Sequence, residues 1–235
     1  TELGGTVGDI ESLPYLEALR QMKREMKKKD LLVIHLTLIP YLRAAGEHKT
    51  KPTQHSVKEL QMAGIIPDVL VCRTEKHITE EIKEKLALFC NVDKRHVIEA
   101  IDADTIYRVP LLMQEEELDK ITIEHLQLEP KRSLDLTRWK EFLHRYKNPK
   151  SEVNIILVGK YNELADAYKS IYEALDHAGA ENSCRVNVVP IHSEVLAATS
   201  LALEIHKING LSVAPGCGDR GLEGLINAVQ YVTEH

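Results

Sequence analysis

The sequence predicts an α/β protein, with a parallel sheet and flanking helices in each of two successive domains. Two observations carry this reading. Apolar runs of strand length alternate with helical patterns along the chain, as in strand–helix–strand units whose parallel sheet is covered on both faces. A polar interruption near residue 150 is followed by a fresh unit at Val153-Asn154-Ile155-Ile156-Leu157-Val158, as the start of a new domain would be.

Taken in order, Leu13, Leu16, Leu19, Met22 and Met26 recur at three- and four-residue steps. They predict a helix ending in Lys27-Lys28-Lys29, where cations suit the dipole. Leu31 to Leu38 reads as a strand. Thr53, after Pro52, is placed to cap a helix running to Gly64, a C-terminal stop. Asp68 to Cys72 is the next strand, Thr79 caps a helix over Glu80–Phe89, and His96 to Ile101 is a third strand. From about Leu112 the pattern turns polar, with Gln114-Glu115-Glu116-Glu117 and Pro130-Lys131-Arg132. Leu134 to Tyr146 reads as a connecting helix carrying the only tryptophan, Trp139, and Asn148-Pro149-Lys150-Ser151 as a linker. Val153–Val158, Val186–Pro190 and Leu211–Ala214 are the strands beyond it. The expected division is therefore 1–130, a connecting segment over 131–152, and 153–235.

With 235 residues, 43% hydrophobic and 28% charged, the chain can bury a sizeable core and is not of disordered composition. Lys and Arg total 30 against 36 Asp and Glu, a net −6 spread along the chain. That argues against nucleic-acid binding by bulk charge but leaves room for a local basic pocket. No apolar run approaches the roughly 20 residues that span a bilayer. Thr1-Glu2-Leu3-Gly4-Gly5 has neither the basic start nor the apolar core of a signal peptide. Cys72, Cys90, Cys184 and Cys217 show no metal-ligand spacing. Cys72 and Cys90 are expected as buried thiols, and the protein as cytoplasmic. The chain has no initiator Met and opens like a strand entered midway, so we expect a fragment of a longer protein.

Four stretches could carry chemistry. Gly4-Gly5-Thr6-Val7-Gly8-Asp9-Ile10-Glu11 is expected between a strand end at Glu2-Leu3 and the helix from Leu13. Glycines there let backbone N–H groups approach an anion, and nearby carboxylates suit Mg²⁺. Spacing alone favours a tight turn with solvated acids, because no Gly-Lys-Ser/Thr follows. Lys49-Thr50-Lys51-Pro52-Thr53-Gln54 joins a strand to a helix start and offers point cations and free N–H groups to a di- or triphosphate. A hydrated surface loop is an equal reading of the same residues, and His48 and His55 beside it read as surface histidines. Lys83 and Lys85 read as solvated helix charges paired with Glu81 and Glu84. Ala214-Pro215-Gly216-Cys217-Gly218 could expose N–H groups to an oxyanion, with Cys217 itself a passenger.

Four segments together resemble CTP synthase. They are Glu2 to Ser12, Lys49 to Gln54, Leu86-Ala87-Leu88-Phe89-Cys90-Asn91-Val92, and Val158-Gly159-Lys160-Tyr161 with Asp166-Ala167-Tyr168-Lys169-Ser170. The resemblance implies a P-loop-like amidoligase domain over 1–130 and part of a class I glutamine amidotransferase domain over 153–235. It implies ATP- and Mg²⁺-dependent amination of UTP to CTP with ammonia from glutamine, feedback inhibition by CTP, and a homotetramer that can extend into filaments. Carried over, Glu2 resembles a Mg²⁺ ligand, and Asp9, Ile10 and Glu11 the segment meeting CTP. Lys49, Thr50, Lys51, Pro52, Thr53 and Gln54 resemble the UTP/CTP triphosphate loop, contributed across a subunit interface. Lys85 resembles a further nucleotide-binding lysine, and Gly216 the glycine that contacts glutamine.

The departures are as informative. The family's ATP phosphate loop and its glutaminase Cys lie outside this sequence, so no catalytic residue is assigned and the chain alone is expected to be inactive. Pro215 replaces a glycine of the family's oxyanion turn and has no N–H to donate, which counts against glutamine hydrolysis there. The alternative is a non-catalytic UTP/CTP-binding or assembly protein derived from the same family.

Overall fold

The computed structural model describes residues 1–164, 166–198 and 208–234. Positions 165, 199–207 and 235, within the expected segment 153–235, lie outside the described residues. The chain forms two compact units, Thr1–Leu134 and Asp135–His235.

In the first unit, helix α1 spans Leu13–Glu25. Strand β1 (Ile34–Leu38) leads through a small antiparallel ribbon, β2 (Tyr41–Leu42) and β3 (Glu47–His48), into helix α2 (Lys51–Met62). Strand β4 (Val69–Thr74), helix α3 (Glu80–Cys90) and strand β5 (Val97–Ile101) follow, then helices α4 (Val109–Glu115) and α5 (Leu118–His125). The sheet order is β1-β4-β5, all parallel. Strand β4 is central and its Val69, Leu70, Val71 and Cys72 are all buried, as a strand covered on both faces must be. One face packs Ile39, Val57, Leu70, Leu86 and Val97 under α2 and α3; the other packs Val69, Val71, Ile98 and Ile121 under α4 and α5.

Three expectations change here. Glu2 and Leu3 do not form a strand; residues 1–9 carry no regular element. Thr50, not Thr53, is the N-cap of α2. Thr53 is fully buried, and its hydroxyl donates to the Leu38 carbonyl at 3.1 Å while accepting from Thr37 Oγ1 at 3.1 Å. Pro52 begins the helix early because its fixed φ and missing N–H suit the first turn. Lys83 pairs not with Glu81 but with Glu116 at 2.9 Å, and Glu84 pairs with Lys94 at 2.8 Å.

In the second unit, helix α6 (Thr137–Lys147) lies on helix α7 (Lys169–Glu181): Arg145 Nε donates to the Ala180 carbonyl at 3.1 Å, and the Phe142 ring meets the His177 ring edge-on. Strand β6 (Ser151–Gly159) is flanked in parallel by β7 (Cys184–His192) and β8 (Gly210–Val213). Helices α8 (Ser193–Ala198) and α9 (Leu222–Glu234) complete the unit. Parallel pairing of β6 with β8 brings their carboxyl ends together, so Lys160 and Tyr161 lie beside Ala214 to Gly218.

Candidate functional site

In the first unit the basic stretch sits at the carboxyl end of β1, where open α/β sheets take ligands. Lys49 N–H donates to the Pro40 carbonyl at 2.9 Å, which fixes the loop against the strand end. Lys51 and Pro52 open α2; Thr50 is buried, and its hydroxyl accepts from Gln54 Nε2 at 3.1 Å. The Thr53 hydrogen bonds anchor this helix start from below. Lys49 and Lys51 are exposed, at the positive pole of a helix whose first N–H groups lack helical partners.

Glu47 belongs to this place and was not foreseen from the sequence. Its carboxylate accepts from Lys49 Nζ at 2.5 Å. That hydrogen bond, the charge on Lys49 and, more weakly, the charge on Lys85 hold the Glu47 carboxyl below the usual range. The charge of Lys85 on α3 therefore reaches Glu47, although it stands more than thirty residues on in sequence. The structure thus gathers Lys49, Thr50, Lys51 and Gln54 around one helix N-terminus, with Pro52 and Thr53 shaping its first turn and the charge of Lys85 felt at the adjoining Glu47. The signal for Glu47 was only its spacing of two from Lys49, which any solvated loop shows. His48 is half-buried, its ring packed edge-on against Tyr41.

The acidic turn does not join this group by any hydrogen bond or ion pair among the described residues. It is self-contained: Thr6 N–H donates to Asp9 Oδ2 at 2.7 Å, and Ser12 Oγ to the Asp9 carbonyl at 2.9 Å. Gly5 and Gly8 adopt positive φ, and a Cβ on Gly5 would stand 2.9 Å from Asp9 Oδ2. Leu3 and Val7 pack on the cluster of Leu16, Val33, Leu60 and Ile65, which lies at the entry end of β1. Leu60 is about 13 Å along α2 from Lys51. Ile10, 83% exposed, and the exposed Glu11 project into solvent. Glu2 is exposed too. Among the described residues, no group of three His, Cys, Asp or Glu could hold a metal ion. A lone Glu2 carboxylate fits only Mg²⁺ that draws its other ligands from water and substrate phosphates, the usual Mg²⁺ arrangement.

In the second unit, Pro215, Gly216, Cys217 and Gly218 form an exposed turn after β8. Cys217 is exposed, whereas Cys72 and Cys90 are buried, as expected. Burial pushes the Cys72 thiol up to about 12 and Cys90 up to about 11.

The family model for the CTP synthase N-terminus matches residues 1–128, and that for class-I glutamine amidotransferase matches residues 163–235. The chain is 57% identical over 235 residues to a CTP synthase of Christiangramia forsetii, covering 100% of this chain and 43% of that protein. It is 59% identical to one from Cytophaga hutchinsonii, again over 100% of this chain and 44% of the relative. A CTP synthase of Methanocaldococcus jannaschii is 55% identical over 240 residues, with 100% of this chain and 44% of the relative covered. The chain thus spans less than half the length of the curated relatives it matches. Among the described residues, no helix is long and apolar enough to cross a membrane.

Proposed function

The chain belongs to the CTP synthase family, and from that membership we propose that its first unit carries the pyrimidine-nucleotide site of an ATP-dependent ligase that aminates UTP to CTP. The observation that carries this reading is the gathering of Lys49, Lys51, Thr50 and Gln54 at the N-terminus of α2, with the charge of Lys85 reaching Glu47 beside them. Ammonium groups and free helix N–H groups suit the charged tail of UTP or CTP. In the free chain Lys49 is held by Glu47, so nucleotide binding exchanges a carboxylate partner for a phosphate.

The reaction phosphorylates O4 of UTP from ATP, and ammonia then displaces that phosphate. Lys49, Lys51 and Lys85 hold the triphosphate so that O4 is presented at a fixed distance, which is where positioning lowers a phosphoryl-transfer barrier. Mg²⁺ would offset charge at the phosphates, with Glu2 as one carboxylate ligand. Asp9, Ile10 and Glu11 form the segment that meets CTP when the product feeds back.

Because the acidic turn is anchored at the opposite end of β1 from the lysine loop, we place both on one nucleotide only when two copies face each other. The site is then composite and the assembly at least a dimer, extending to a tetramer. UTP-dependent thermal stabilisation of the chain, and its loss in a Lys49→Ala/Lys51→Ala variant, tests the reading. The missing N–H of Pro215 favours a second reading, a UTP- or CTP-binding assembly protein without glutaminase activity. Binding of UTP with no perturbation of the 214–218 turn by glutamine would support it.

A further inference from the structure

The lysine loop is entered through the ribbon of β2 and β3, which pairs only Tyr41 with His48 and Leu42 with Glu47. A two-stranded ribbon of this size does not hold its own shape in water, so what fixes it comes from outside. On one side the Lys49 N–H donates to the Pro40 carbonyl at 2.9 Å. On the other, His48 Nε2 lies 3.1 Å from the Lys76 carbonyl oxygen. A carbonyl only accepts, so the imidazole carries a proton on Nε2. The same ring meets Tyr41 edge-on, with 5.0 Å between centroids.

Lys76 belongs to an irregular segment, 75–79, between β4 and α3, and the sheet holds that segment in place. Thr74, buried at the end of β4, donates from Oγ1 to the same Lys76 carbonyl at 2.8 Å. Glu99 on β5 is 8% exposed, and its carboxylate accepts from the Ile78 N–H and from His77 Nδ1, each at 2.6 Å. A carboxylate taken out of water needs donors that replace the water, and here the segment supplies them. Arg43 and Glu75 add an ion pair at 3.1 Å, but both side chains are exposed and such pairs contribute little. His48 is therefore the fixed link between the sheet-anchored segment and its own neighbour Lys49. Side chains alternate along extended backbone, so holding His48 against Lys76 leaves Glu47 and Lys49 together on the opposite side, where they meet at 2.5 Å.

We infer that His48 is a positioning residue: by donating to the Lys76 carbonyl it fixes the ribbon and so aims the Lys49 ammonium at a phosphate of the bound nucleotide. This rests on the nucleotide-site reading of the first unit and deepens it, since it adds to that site a residue that acts through Lys49. A group held in place before the ligand arrives binds more tightly because less freedom is lost on binding.

The test is calorimetric titration of UTP into the 235-residue chain and into His48→Phe, His48→Gln, Lys49→Ala and the His48→Phe/Lys49→Ala pair. His48→Phe keeps a ring against Tyr41 but has no donor, whereas the amide of His48→Gln can still donate to the Lys76 carbonyl. The expected result is that His48→Phe weakens UTP binding about three- to tenfold, the range of one neutral hydrogen bond, and His48→Gln less than about twofold. In the Lys49→Ala background His48→Phe should change UTP affinity by less than about twofold, because no ammonium remains there to be aimed; a merely structural role would carry over undiminished. No UTP binding by the unaltered chain overturns the nucleotide reading and this inference together. Where the unaltered chain does bind UTP, three results overturn the inference alone: no loss in His48→Phe, an equal loss in His48→Gln, or the same loss with Lys49 already replaced.

Discussion

Replacing Lys49 and Lys51 together by alanine isolates the proposed binding chemistry from the fold. Both side chains are exposed, and the hydrogen bonds that hold the loop come instead from the Lys49 backbone, Thr53 and Gln54. The ligand-free melting temperature should therefore stay within about 2 °C, the range of ordinary surface changes. The effect on ligand is large by contrast. Each charge-assisted contact to phosphate contributes about 1.5–3 kcal/mol, so losing two weakens UTP binding by at least ~150-fold. At a UTP concentration of about 100 Kd, the unaltered chain gains about 2.7 kcal/mol of stability. The variant at that concentration gains only a few tenths. Glu47→Gln is the counter-variant: it releases Lys49 from its carboxylate partner and should tighten UTP binding. Thermal melts with and without UTP, backed by calorimetric titration, measure both. Unchanged UTP stabilisation in the double variant would refute the reasoning, as would weaker binding in Glu47→Gln.

Three further outcomes follow from the same structure. Thr53→Val keeps the shape but strands the Leu38 carbonyl and the Thr37 hydroxyl, so denaturant unfolding should show a loss of about 1–3 kcal/mol, with Thr53→Ser retaining more. Under native conditions at pH 8, alkylation mapped by mass spectrometry should label Cys217 well before Cys72 or Cys90, whose thiols burial holds near 12 and 11. His35 is held below its ordinary value by burial, so below about pH 6.5 the unfolded chain takes a proton that the folded chain refuses. Stability should fall as pH drops from 7 toward 5, and His35→Asn should flatten part of that slope; an equal slope in the variant would contradict it.

The alternation of apolar runs and helical patterns was enough to read the parallel sheets, because most of β4 and the second half of β6 are buried runs whose apolar character survives any detail of packing. The lysine loop was legible as concentrated charge ahead of a proline. Lys85 was legible only through the family resemblance; its residue pattern read as a solvated helix charge, and only the fold brings its charge to bear on Glu47. Thr53 looked like a cap because hydroxyls before helices usually are; Pro52 starting the helix early moved it inside, against the end of β1. Glu2-Leu3 looked like a strand end because two residues carry no periodicity with which to test the idea. Lys160 and Tyr168 stood out only as part of a segment that carries the family resemblance, with no sign of what they touch. Their link to the turn at 215–218 spans some fifty residues and depends on the register of β6 against β8.

The composite nucleotide site is tested most directly by mixing two binding-deficient chains, Lys49→Ala/Lys51→Ala and Asp9→Asn/Glu11→Gln, and counting UTP sites by calorimetry. Each alone should bind poorly. Random mixing at equal amounts should regenerate about a quarter of the wild-type sites, since about half of the pairs are then mixed and each mixed pair has one of its two sites intact. Two variants that fold and assemble normally, yet regain no sites on mixing, would contradict a site shared between copies.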